Sequence, residues 1–579
     1  MRRIGWQSRW ACLIGILAIA MIAGGWFQAA PSTSEVPAPT IRVSTHLVLV
    51  DVVVTDKQGK PVTGLHQEDF VVQEKGKNQK IAFFTSQREP QSQPPPVLPP
   101  GIYSNKPEYR SPGGPVVVLL LDAANTPFKD QAYARQQMLK FVKEEYKPGQ
   151  HTAVLTLTNS LGMLQDFTTD PNVLFKALQS YQPLAQEMAN AAPPRPPSTS
   201  SARGSGAEIA AQGVVELMRE FQNIQLAYVL DRRVETTISA MRALARILGG
   251  IPGRKSVIWV TAAFPFSLIP ENRDVSSEEL AESLPSVNQL GLSTRAGGAI
   301  AGVERQGHAQ EIREASAQLA SAQVAIYPVD ARGLMSGVEA TIDDVAARQV
   351  DSMTDAAQLR MSDVTASQET MREVARETGG IAYINQNEIK EGVVVAMADS
   401  ANSYTLGYYP EDKKWDGKYR SVKVKLNRDG LETRYRRGYF AIDPASLKGN
   451  PEQAAVEALQ DSAPDTLVTF SAQVKPAASG KLGVDFLVDA RTLSAEDVSG
   501  GNKKFNVVLY AAIFALDGKM LGSQSLKVDQ AFDVATYQQI VGKGMLLHMD
   551  LNLPPGKNQL RMAVRDNRTG NTGTLTAPL

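Results

Sequence analysis

The chain has 579 residues, one cysteine, and 60 basic against 60 acidic residues, so its formal net charge is zero. That length exceeds what one hydrophobic core organises and sets an expectation of three or four domains. Balanced charge removes the electrostatic footprint that nucleic-acid binding needs. With Cys12 as the only cysteine, the rest of the chain has no thiol nucleophile, disulfide or cysteine metal site.

Residues 1–30 read as a signal peptide or an N-terminal membrane anchor. Arg2, Arg3 and Arg9 precede an apolar stretch from Ala11 to Phe27, followed by Gln28-Ala29-Ala30. Pro31 is a poor residue to follow a cleavage site, and the stretch touches the lower limit for a membrane span, so both outcomes stay open. Cys12 opens the apolar run where a lipoprotein signal would close on its cysteine. Either outcome places the remainder outside the cytoplasm (periplasmic, secreted or anchored), with membrane contact only through this segment.

Residues 41–87 read as a small β domain, with His46–Thr55 strongly β-branched and Asp69–Glu74 and Lys80–Thr85 as further strands. A unit this small is expected to lean on a neighbour. Residues 88–114 form a linker with eight prolines, extended and semi-stiff because proline lacks a ladder donor and fixes its own φ.

From Pro115 strands and helices alternate. Val116–Leu121 is apolar at every position, as in a strand buried on both faces of a parallel sheet. Helix Gln131–Tyr146, strand Thr152–Thr158, a helix over Ala227–Leu248 and strand Ser256–Thr261 follow. Helix Glu311–Ser321 leads into strand Gln323–Val329. Helix Gln368–Thr378 stops at Gly379-Gly380, and strand Ile381–Ile384, helix Glu388–Asn402 and strand Tyr404–Tyr409 close the series. This pattern predicts a doubly wound, Rossmann-like α/β domain over 115–442, ending in a hairpin. Insertions at 183–215 and 267–306 interrupt it, poor in periodic apolar residues and expected as surface loops. A linker at 443–465 leads to a C-terminal β-sandwich over 466–579, with Asp517-Gly518 as a tight turn.

In such sheets ligands sit beyond the carboxyl ends of the strands. Those ends offer Asp122, Asn125 and Thr126, then the loop Asp166-Phe167-Thr168-Thr169-Asp170, then Thr261 and Asp330. The order of elements and these segments resemble the von Willebrand factor A domain, and most closely its bacterial secreted or membrane-anchored subgroup. The likeness extends through Asp69–Glu74, Gly253–Trp259, Ile326–Gly333, Glu377–Gly380 and Tyr404–Tyr409. It covers residues 41–442 and is strongest over 115–410.

The resemblance implies a site in which oxygens hold a magnesium-type divalent cation and a protein partner's carboxylate completes its shell. Asp122, Thr126 and Thr168 are the metal-ligand candidates, and Asn125, Thr169, Thr261 and Asp330 the partner-binding rim. The family pattern is degenerate here, because Ala124 stands at its first serine and Ala262 at its later aspartate. One carboxylate with two hydroxyls makes a weak site for an ion that prefers octahedral oxygen ligation. The same residue types also cap helices and tie down loops, so both readings stand.

Catalytic constellations are not legible. The five histidines are scattered, no Gly-x-Ser-x-Gly elbow is present, and Gly249–Ser256 precedes a strand where a phosphate loop would follow one. The expectation is a non-enzymatic extracytoplasmic module for protein–protein interaction or adhesion. An envelope enzyme acting on polysaccharide or peptide, or a purely structural envelope component, is the alternative.

Overall fold

A computed structural model describes residues 47–86, 97–110, 116–146, 150–183, 228–229, 231–266, 294–333, 353–385, 389–443, 458–459, 463–477 and 480–579. The export segment 1–30 and most of both insertions lie outside the described residues. No helix among the described residues is long and apolar enough to cross a membrane.

The α/β unit comprises β1 (Val116–Asp122), α1 (Phe128–Glu144), β2 (His151–Leu157), β3 (Leu161–Thr168), α2 (Pro171–Ser180), α3 (231–249), β4 (Lys255–Thr261), α4 (Thr294–Ser321), β5 (Val324–Asp330), α5 (Met353–Thr378) and α6 (Ile389–Ala401). Its sheet runs β5-β4-β1-β2-β3, parallel except for β3. Because side chains alternate across a strand, β1 feeds two cores. Val116, Val118 and Leu120 pack with Met241 and Leu244 of α3 and Leu319 of α4. Val117, Leu119 and Leu121 pack with Phe141 of α1, Leu178 of α2 and Met397 of α6. Both faces of the sheet are thus covered by helices, which is why β1 has no polar position before Asp122.

Several expectations change on folding. Residues 294–306, read as part of a loop insertion, continue helix α4. The segment 381–384 contributes a single parallel bridge, Tyr383 to Val329, instead of a strand. Ser403–Tyr408 does not close the parallel sheet. It pairs antiparallel with Val48–Asp56 on one side and Ile81–Ser86 on the other. Likewise Tyr419–Leu426 pairs with Phe70–Glu74. The strands before and after the α/β unit therefore build one sandwich, with Val50, Val52, Phe70, Tyr404, Leu406 and Val424 in its core. Phe70–Glu74 has a hairpin partner in Lys77–Gln79 on one side only; its other edge and both edges of Val48–Asp56 pair with strands more than 300 residues away.

Part of the proline-rich segment is also structured. Ile102–Ser104 adds an edge strand to Phe470–Ala477. Buried Asn105 donates to the carbonyls of Asp465 and Val468 and accepts from the Phe470 amide. The C-terminal unit packs two antiparallel sheets around Phe470, Phe486, Leu509 and Met562. Gly518 makes its turn with φ 89°, and helix Val534–Lys543, capped by Asp533, was not expected. Buried Asp465 accepts from Arg246 of α3 at 3.1 Å, which fastens this unit to the α/β unit.

Candidate functional site

The strand-end cluster is built on Asp122, the first polar residue of β1, which is only 2% exposed. Its Oδ1 accepts the Asn125 backbone N–H at 2.9 Å. Oδ2 accepts the Asn125 amide at 3.0 Å and the indole N–H of Trp259, on neighbouring β4, at 2.9 Å. Burial pushes the carboxyl pKa up, and the donors from Trp259 and Asn125 pull it back. Asn125 extends the network, donating to Thr237 Oγ1 at 3.0 Å and accepting from Arg233 Nε at 3.1 Å, both on α3. Thr126 Oγ1 accepts the Ala262 N–H at 3.1 Å, crossing from the β1 loop to the β4 loop. Neither Asp122 nor Thr126 caps α1, whose N-cap is Pro127 without a side-chain bond.

Thr261 and Asp330 lie in register on β4 and β5 at this same end. Asp330 is 3% exposed and chelated by Arg332, whose Nε and Nη2 both sit at 2.8 Å, with Gln368 donating at 3.2 Å. Thr261 Oγ1 donates to the Ala263 carbonyl at 2.8 Å.

Thr168 and Thr169 do not join this group. Strand β3 runs antiparallel, so Thr168 pairs with Thr152, which pairs with Val117, five residues before Asp122. At a rise of about 3.3 Å per residue, this puts Thr168 roughly 16 Å away at the opposite end of the sheet. Residues 166–170 were expected as a strand-end loop beside Asp122, but a short loop (Thr158–Ser160) turns the chain back and Leu161–Thr168 is itself a strand. Residues 166–168 end β3, and the chain turns at Thr169 into a helix. Asp170 accepts the Asn172 N–H at 2.8 Å as the N-cap of α2, with Pro171 in the first turn.

The donor set does not fit a magnesium-type ion. Such an ion needs near-octahedral oxygens, whereas both Asp122 oxygens accept protein donors, Thr126 Oγ1 accepts an amide, and Ala124 and Ala262 offer no side-chain oxygen. Among the described residues no group of three or more His, Cys, Asp or Glu is arranged to hold a metal.

Two features escaped the sequence reading. Phe128, the first residue of α1, stands 51% exposed on the rim beside the buried cluster. An aromatic directly after Asn125-Thr126-Pro127 was the available signal. Arg254 and Lys255, where the chain enters β4, are 2% and 1% exposed. Arg254 donates to Tyr327 Oη at 3.0 Å and to the Gly379 carbonyl at 2.5 Å, and Tyr327 donates to Asp399 at 2.7 Å. Three segments singled out by resemblance thus interlock through one guanidinium. Gly379 ends α5 with φ 81°, and a Cβ there would lie 2.8 Å from the Arg436 amide.

Outside the α/β unit, His548 bridges two carboxylates on an exposed strand face, with Nδ1 2.7 Å from Asp485 and Nε2 3.2 Å from Asp550. These carboxylates raise its pKa above 6.5, the Asp485 hydrogen bond foremost. Since both ring nitrogens are engaged by anions, neither is placed to take a proton from a nucleophile. The small stabilisation from this group is present below pH 6.5 and fades as pH rises through the folded-state value. NMR titration of the His548 ring should give a midpoint above 6.5, and Asp485→Asn should lower it; an unshifted midpoint would contradict the bridge.

No family model matches the chain, and no curated protein matches it. Among solved structures it is similar to an aerotolerance-related membrane protein of Bacteroides fragilis, at 13% identity and a TM-score of 0.23 over 49% of this chain and 98% of that one. Similar too are the protein BatB of Bacteroides thetaiotaomicron (11% identity, TM-score 0.21, 50% and 98% covered) and proximal thread matrix protein 1 of the mussel byssus (11%, 0.21, 49% and 46%). TM-scores this low carry no argument here about fold or function.

Proposed function

We infer that the chain is an extracytoplasmic interaction module whose α/β unit is of the von Willebrand factor A type and binds a protein partner without a metal. One observation carries this reading: the exposed Phe128 ring is mounted beside a strand-end cluster whose Asp122, Thr126 and Asp330 side chains are tied inward. A rigid support with an exposed aromatic is the usual anatomy of a binding hot spot. The location outside the cytoplasm rests on the arginine-flanked apolar stretch of residues 1–27. The order of strands and helices and the position of Asp122 after β1 support the family likeness.

Capture from envelope extract on the full exported chain tests the proposal. Wild type should retain a saturable partner equally in Mg²⁺ and in chelator, and Phe128→Ala should weaken retention roughly tenfold or more, as for an aromatic hot spot. Retention lost in chelator would restore a metal-bridged mode. Retention unchanged in Phe128→Ala would remove this rim as the interface.

A further inference from the structure

The C-terminal sandwich leaves one long strand paired on a single side. Met520–Phe532 has 13 residues and pairs antiparallel with Lys503–Ala515, and no described strand pairs with its other side. It is the longest such edge among the described residues and contains no proline. Only Leu526, Val528 and Phe532 are half-buried, on the face that packs into the sandwich core, and the remaining side chains are exposed. An open edge presents unpaired backbone N–H and C=O groups and so is a template for another strand.

The strand carries only two charged residues, Lys527 and Asp529. Alternation puts both on the solvent face, because Leu526 and Val528 face the core. Asp529 meets Lys504 of the neighbouring strand at 2.9 Å, an exposed pair that contributes little and leaves the carboxylate accessible. When two identical antiparallel strands meet on a two-fold axis perpendicular to the sheet, faces are preserved and the axis passes through one residue position. Placed at Val528, the axis sets Lys527 opposite the second copy's Asp529, and Asp529 opposite its Lys527. Placed at Lys527 or Asp529, it sets like charges opposite each other, which is destabilising. At Leu526 both charges face serines, and at Gln530 the helix Val534–Lys543 cuts the ladder short. Charge therefore selects Val528, with pairing from Gln524 to Phe532.

We propose that a second copy of this chain pairs antiparallel along Met520–Phe532, on a two-fold axis at Val528, joining two C-terminal sheets into one. On the core face Val528 meets the second copy's Val528, and Leu526 meets its Gln530. A lysine on an edge strand can also serve to keep other strands away. Here Asp529, two residues on, supplies the opposite charge in the register that a copy of the same strand takes. Nothing in this pairing involves the Phe128 rim, so the two proposals fail separately.

Sedimentation velocity of the full chain in mild detergent, over a concentration series, reads the outcome. Wild type should pass from monomer to dimer with a Kd on the order of 10 μM, as suits a narrow contact. Lys527→Asp alone puts two carboxylates opposite each other at both charge positions, and Asp529→Lys alone puts two ammonium groups there. Each variant should dimerise at least about tenfold more weakly than wild type. An equimolar mixture of the two variants restores opposite charges at both positions and should recover dimer to within about threefold of wild type. Both side chains are exposed, and circular dichroism confirms that each variant is folded. A wild type that stays monomeric to about 200 μM would overturn the assignment. So would either variant dimerising as tightly as wild type, which points to contact elsewhere in the chain, or a mixture associating no better than its components.

Discussion

Asp122→Ala is expected to lower the unfolding temperature of the α/β unit by roughly 6–12 °C. The reason is what the carboxylate leaves behind. Trp259 Nε1 and the Asn125 backbone N–H lose the acceptor described above, while the Asn125 amide keeps Thr237. Each stranded buried donor costs about 1–3 kcal/mol, so the loss is on the order of 3 kcal/mol. Each kcal/mol moves the midpoint by about 2–4 °C in a unit of this size. Relief of the buried charge offsets part of this, because burial already pushes the Asp122 pKa up. The same melts in chelator and in millimolar Mg²⁺ should coincide for wild type and variant. A midpoint within a degree of wild type would mean that Asp122 anchors nothing, and an ion-dependent gap between the two would mean that it holds metal.

A comparable loss is expected in the sandwich when Glu74 is truncated. Glu74 is 4% exposed and accepts from Tyr408 at 2.7 Å, Tyr439 at 2.9 Å and Arg420 at 3.4 Å. Arg420 is fully buried, lies over Trp415 and donates to the Asp412 and Lys414 carbonyls. Removing one member of a buried ion pair strands the other charge and costs about 3–5 kcal/mol. Glu74→Ala should therefore sit at the low end of that range, since Asp412 remains 3.7 Å from Arg420. Glu74→Gln, which keeps an acceptor for the tyrosines, should lose about half as much. Denaturant melts of the full chain measure both. Equal losses would show that the charge alone counts and that the acceptor retained by glutamine contributes nothing. Because Glu74 belongs to the first described segment and its partners lie beyond residue 400, the result also reports whether the amino-terminal strands are integral to the sandwich.

What was readable in the residues follows periodicity. The unbroken apolar run Val116–Leu121 announced a strand buried on both faces, and both helical layers stand where that run requires them. Gly379-Gly380 marked the end of α5, and Asp517-Gly518 the tight turn of the C-terminal sandwich. Asp122 was legible as the first polar residue after such a strand. Its partner Trp259 was not, since a tryptophan inside an apolar strand reads as packing.

Local pattern states which face of an element is apolar, because that is a property of neighbours a few residues apart. Composition and periodicity therefore determined the element types, the apolar export-like stretch and the absence of a legible catalytic motif. Which strand pairs with which is decided by backbone hydrogen bonds that any extended segment can make. Only the assembled chain could put Ser403–Tyr408 beside Val48–Asp56, reverse β3 so that Thr168 leaves Asp122, and pair Met520–Phe532 on one side only.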